Sequence, residues 1–116
     1  LCPENHWFTA CQNPDCTWSY NSACSTYAAQ TCNGNDYGDT ADAVLATGTL
    51  NSCTRPHGGL NVFDLSGNVK EWALARSPGV NPLRGGASNN TPVGISCGFD
   101  FPLASDTIIF PNIGFR

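Results

Sequence analysis

Eight consecutive residues, Asp64-Leu65-Ser66-Gly67-Asn68-Val69-Lys70-Glu71, put two carboxylates and an amide into one bend around a glycine. Calcium takes oxygen ligands at about 2.3–2.6 Å, backbone carbonyls among them, and a glycine turn can point carbonyls inward. The bend is therefore compatible with a calcium site. It has a purely structural alternative, in which Asp64 and Asn68 cap the turn and Glu71 pairs with Arg84 or Arg116. A second loop, Asn33-Gly34-Asn35-Asp36-Tyr37-Gly38-Asp39, is also compatible with calcium, and Asx-rich turns of this kind are commonly just turns.

Sulfur is the other chemistry on offer. There are seven cysteines among 116 residues, and after Cys2 they follow at intervals of 9, 5, 8, 8, 21 and 44. None forms C-x-x-C, the pairing a zinc site favours. Such density points to disulfides and an oxidising compartment. The odd count leaves at least one thiol without a partner in the chain, through a cysteine lying just outside it or through an inter-chain bond. His6 and His57 stand 51 residues apart, a weak metal signal. No nucleophile elbow, phosphate-binding loop or zinc-protease helix is present in the sequence.

Composition narrows the partners. Hydrophobic residues make up 41%, which is globular, but charged residues only 12%, about half the usual share. A net charge of -4 with five Lys and Arg argues against nucleic acid, which needs concentrated basic side chains. No apolar run approaches the roughly 20 residues of a membrane-spanning helix, and membrane insertion is not expected. The sequence begins with Leu1 and shows no signal peptide, so an upstream portion carrying that signal is expected to have been removed or to lie outside the sequence.

The elements that must position these groups are short. Pro3 and Glu4 suit the first turn of a helix, and Trp7, Ala10 and Cys11 form one apolar stripe, predicting a helix over 3–11. Residues 12–58 are punctuated by Asn-Pro-Asp, Asn-Gly, Tyr-Gly-Asp and Arg-Pro-His-Gly-Gly, an irregular region that needs stapling by Cys16, Cys24, Cys32 and Cys53. From Leu60 the period shifts towards two. Leu60, Val62 and 69–74 read as strand edges around a Ser-Gly-Asn turn, and Leu83–Gly86 as a short strand ending in glycines. The segments 93–101, 107–110 and 113–116 are further β candidates. Trp72, Leu83, Phe99, Phe101, Phe110 and Phe115 read as core. Trp7 and Trp18 are either buried or free to stack on a sugar. The class is α+β: loop-rich, disulfide-stapled, with short antiparallel strands and few helices, and one domain over 1–116.

Several blocks carry a family resemblance. They are Leu1-Cys2-Pro3-Glu4-Asn5-His6-Trp7-Phe8-Thr9-Ala10-Cys11, Cys32-Asn33-Gly34-Asn35-Asp36-Tyr37, Gly59 through Trp72, Leu83-Arg84-Gly85-Gly86-Ala87-Ser88-Asn89-Asn90, and Asn112-Ile113-Gly114-Phe115-Arg116. In this order they resemble the formylglycine-generating enzyme, or sulfatase-modifying factor, family. The resemblance covers nearly the whole chain but only about the C-terminal half of a full family domain. It implies a C-type-lectin-like fold. It also implies a structural calcium held by Asp64 and Glu71 through side chains, Gly67 and Val69 through carbonyls, and Asn68 as a further ligand.

The family's best-known activity uses a pair of copper-binding cysteines shortly after Gly-Gly-Ser. Counted from Ala87, those places fall on Asn90 and Ile95, neither of which offers a thiolate. Cys97 is displaced and reads as half of a disulfide. The expectation is a non-catalytic, secreted, periplasmic or cell-surface lectin-like module with a structural or binding role. Its partner would be a protein, a glycan or a neighbouring subunit of an extracellular assembly. The alternative is the C-terminal part of a family enzyme, an oxidoreductase, whose active residues lie upstream.

Overall fold

A computed structural model describes residues 1–21, 23–38, 43–74, 81–101, 107 and 109–116. Its hub is the strand Lys70–Leu74, which alternates as a strand over a core should: Glu71 and Ala73 are buried, while Lys70 and Trp72 are half-buried. Numbered in chain order, the strands are β1 (Cys2–Pro3), β2 (Thr54–His57), β3 (Leu60–Phe63), β4 (Lys70–Leu74), β5 (Leu83–Arg84) and β6 (Ile113–Phe115). The helix α1 spans Glu4–Gln12. Strand β5 lies antiparallel to β4, with Glu71 opposite Arg84 and Trp72 opposite Leu83. Strands β6 and β1 both run parallel to β4, β6 against Lys70–Trp72 and β1 against Ala73–Leu74. The expectation of antiparallel strands is corrected on this point. Both ends of the chain meet on β4.

Helix α1 forms where its sequence predicts, one residue later at each end. Pro3 takes the capping position at φ -55 and Glu4 occupies the first turn, near the positive end of the helix dipole. The helix stops where Pro14 denies a further hydrogen bond. Trp7 and Cys11, one turn apart, are its buried residues.

Strand β2 arises in a stretch that the sequence presents as loop punctuation. Thr54–His57 pairs with Leu60–Phe63 around Gly58 and Gly59, which lie at φ 58 and 82. Two successive positive φ values define the tight turn whose twist suits a hairpin, and glycine supplies them without strain. The Ser-Gly-Asn turn joins two separate sheets, because β3 pairs with β2 and β4 with β1, β5 and β6. Residues 92–98 form turns and bends, and of the expected strand only Phe101 pairs, in a single bridge to Leu83. Thr107, Ile109 and Phe110 are also outside strands, and Ile108 is not among the described residues.

Sulfur sits inside both apolar clusters. Trp7, Cys11, Leu65 and Cys97 form one, and Tyr20, Cys32, Cys53 and Ile95 the other. Disulfides join Cys11 to Cys97, Cys16 to Cys24 and Cys32 to Cys53, and Cys2 is the one free cysteine. Leu83 is buried as expected, and Trp72, Phe99 and Phe101 are half-buried, but Phe110 and Phe115 are 52% and 79% exposed.

Candidate functional site

The bend from Asp64 to Glu71 is buried almost throughout, and its backbone is set by residues that accept positive φ. Asp64, Gly67 and Asn68 lie at φ 57, 78 and 69. Asx side chains tolerate this region better than other non-glycine residues. At Gly67 the requirement is also steric, since a methyl there would collide with the carbonyl of Asn33. The Gly67 amide donates to the Gly85 carbonyl at 2.6 Å, and the Asn68 amide to Asn33 at 2.8 Å.

Asn68 is the keystone. Its Oδ1 accepts from the Leu45 amide at 2.8 Å and from Asn33 Nδ2 at 3.0 Å, and its Nδ2 donates to the Leu45 carbonyl at 3.0 Å. The side chain thus answers both backbone groups of Leu45 as a neighbouring strand would. Asn33 Nδ2 also donates to Ala43. The two Asx loops that stand apart in the sequence therefore meet as one clasp. Elsewhere in the second loop, Asp36 Oδ2 accepts from the Gln30 amide at 2.9 Å, while Asp39 is not among the described residues.

Glu71, 3% exposed, is compensated by protein groups. Trp7 Nε1 donates to Oε2 at 2.6 Å, and Arg116 donates to Oε1 from Nε at 3.0 Å and from Nη2 at 2.7 Å. Arg116 also donates to the Phe63 carbonyl, tying the end of β3 to β4. Arg84 pairs instead with Glu4 and donates to the carbonyl of Phe99 at 3.2 Å. Asp64 Oδ2 accepts from the Gly48 amide at 2.9 Å. Burial pushes the Asp64 carboxyl above its ordinary value, against the pull of the Gly48 hydrogen bond and the Arg116 charge.

Of the five expected calcium ligands, Asp64, Gly67, Asn68 and Glu71 are buried and Val69 is half-buried. The side-chain oxygens of Glu71 and Asn68 already accept from Arg116, Trp7, Leu45 and Asn33. A calcium ion would have to displace a guanidinium, an indole N–H and two amides, so the arrangement fits an ion pair and an amide clasp better than a cation site. Among the described residues, no three His, Cys, Asp or Glu cluster in a way that could hold a metal. His6 and His57 are both exposed, on α1 and at the end of β2. Asn90 caps a turn by accepting from the Ala87 amide at 2.8 Å, and Ile95 is core.

No sequence signal marked Trp7 as the donor to Glu71, or Leu45 as the partner of Asn68. These contacts span 64 and 23 residues. A buried carboxylate always requires a donor, but sequence does not say which one.

Among the described residues the surface includes the following hollows. One of about 280 Å³ is lined by Glu4, Asn5, Phe8 and Arg84. One of about 300 Å³ is apolar, with Trp72, Ile109, Phe110 and Phe115 in its walls. Another, of about 340 Å³, is polar and lies between residues 30–31 and 49–52. Trp18, which the sequence leaves free to be buried or to stack on a sugar, stacks on Tyr20 with ring centroids 6.0 Å apart, and its indole donates to the Pro92 carbonyl at 2.8 Å.

No known protein family matches the sequence, and no curated protein does. Among solved structures, variable protein 1 of Treponema denticola is similar over 99% of this chain, with a TM-score of 0.70 and 16% identity. The likeness is one of fold. The chain spans 45% of that protein, less than half its length.

Proposed function

We propose that the chain is a non-catalytic recognition module of a secreted, periplasmic or surface-exposed protein, with a C-type-lectin-like fold of the sulfatase-modifying-factor type. The observation that carries this reading is the placing of the three disulfides. Cys16–Cys24 and Cys32–Cys53 close loops in the irregular half, and Cys11–Cys97 ties α1 to the loop before Phe101. A small sheet with cross-linked loops holds an irregular surface in one shape, which is what recognition needs and what mobile loops lack. Disulfides of this density fit an oxidising compartment. The partner is a glycan or a protein outside the cytoplasm.

The test is binding of the oxidised domain to an array of glycans and extracellular proteins. Saturable binding that disappears on reduction supports the reading. Turnover of a sulfatase cysteine peptide above a metal-only control would favour the enzyme alternative instead.

A further inference from the structure

We propose that the polar hollow between residues 30–31 and 49–52 is a site for a neutral polyhydroxylated ligand, an uncharged oligosaccharide. This rests on the recognition reading above and gives it a place and a ligand class. The lining is Gln30, Thr31, Thr49, Leu50, Asn51 and Ser52: two amides, three hydroxyls and one apolar side chain, with no charge. A sugar hydroxyl both donates and accepts. Amides that present a donor beside an acceptor, together with hydroxyls that rotate to either role, match it. An uncharged lining also imposes no desolvation of an ion when the hollow fills. Leu50 offers an apolar patch to the C–H face of a ring.

Several of the groups are available and the backbone behind them is held, although Ser52 Oγ already donates to Asn51 Oδ1 at 3.4 Å. Among the described residues the side chains of Gln30 and Thr31 have no hydrogen-bond partner within the protein. Thr49 gives its proton to the Ala46 carbonyl at 2.6 Å and keeps its lone pairs free to accept. Each wall runs directly into one half of the same disulfide, Gln30–Thr31 into Cys32 and Thr49–Ser52 into Cys53. Further bonds fix the backbone behind them. Asp36 holds the Gln30 amide with Gln30 at φ 59, the Cys53 amide donates to Leu50 at 2.9 Å, and the Asn21 amide donates to Ser52 at 3.1 Å. Little backbone order remains to be imposed when a ligand binds, which favours weak polar contacts. The volume of about 340 Å³ lies within the range of small-ligand clefts, roughly 300–1,000 Å³, rather than of protein interfaces.

The experiment is titration of isotope-labelled oxidised protein with cellobiose, maltose, lactose and chitobiose, and with glucosamine and glucuronate as charged controls. The expected result is saturable shifts of the amides of residues 30–31 and 49–52 with one or more neutral disaccharides and none with the charged sugars. Gln30 and Asn51 are exposed, so Gln30→Ala and Asn51→Ala should leave the fold intact, as the unchanged remainder of the spectrum would show. Each should weaken binding by roughly two- to tenfold, the effect of one lost hydrogen bond. Absence of shifts with every neutral disaccharide, stronger binding of a charged sugar, or unchanged affinity in the double variant that combines Gln30→Ala with Asn51→Ala would overturn the proposal. Array binding that survives in the double variant would remove this site while leaving the recognition reading intact. A wild-type domain that binds nothing on the array would remove the wider reading as well.

Discussion

Two buried carboxylates close together, Asp64 and Glu71, are treated differently by the chain. Glu71 has a guanidinium and an indole N–H on its oxygens, whereas Asp64 has a backbone amide and feels Arg116 only through space. The folded Asp64 carboxyl therefore holds its proton more tightly than the unfolded one, whose ordinary value is 3.8. Over that window the folded state binds more protons, so the Asp64 contribution to stability falls as pH rises from about 3.8 through the folded value. Asp64→Asn keeps an acceptor for the Gly48 amide and removes the ionisation. It is expected to leave the melting temperature at neutral pH unchanged or raised, and to flatten the decline seen between acid and neutral pH. Arg116→Ala should act in the opposite direction. Removing one partner of a fully buried pair costs about 3–5 kcal/mol, and with Arg116 36% exposed the screened figure is about 2 kcal/mol. If the bend instead held calcium, chelator would lower the melting temperature, and Asp64→Asn would lower it sharply too.

At the scale of elements, the turn between β3 and β4 depends on atoms supplied from far along the chain. Gly67→Ala combines positive φ with a collision against Asn33 and should prevent folding, or leave a product that melts many degrees lower. Asn68→Ala removes three hydrogen bonds and strands the Leu45 amide, a loss of about 2–4 kcal/mol measurable by denaturant unfolding. What the sequence made legible follows from range. Helix α1, strand β5 and the positions of β4 and β6 rest on local pattern, on Pro3, on alternation and on glycines, and they were predicted. Strand β2 was hidden because Arg55, Pro56 and His57 lack the apolar alternation of a strand. Its signal was Gly58-Gly59 between two short runs, the mark of a hairpin. The parallel pairing of β1 and β6 with β4 joins the two ends of the chain, a distance over which local pattern carries no information. The sequence marks Asp64 through Glu71 as a bend with two carboxylates and an amide, and the structure surrounds Glu71 and Asn68 with protein donors. The compensators, Trp7 and Leu45, were not legible, because any buried donor would have served.

The whole molecule depends on sulfur more than on regular structure. By loop-closure entropy Cys11–Cys97, spanning 86 residues, contributes about 4.6 kcal/mol, Cys32–Cys53 about 3.3 and Cys16–Cys24 about 2.5. Taken as additive they come to about 10 kcal/mol, as much as the about 5–15 kcal/mol by which a whole domain is stable. Loss of Cys11–Cys97 in the double alanine variant should therefore be the most damaging of the three, and full reduction should unfold the chain at room temperature, visible as loss of near-ultraviolet circular dichroism. A cross-linked surface made in an oxidising compartment is the central claim, and disulfide mapping tests it most directly. Protein alkylated without reduction, digested and weighed should show Cys11 joined to Cys97, Cys16 to Cys24 and Cys32 to Cys53, with Cys2 alone alkylated. Alkylation at four or more cysteines, or a different pairing in folded protein, would contradict it.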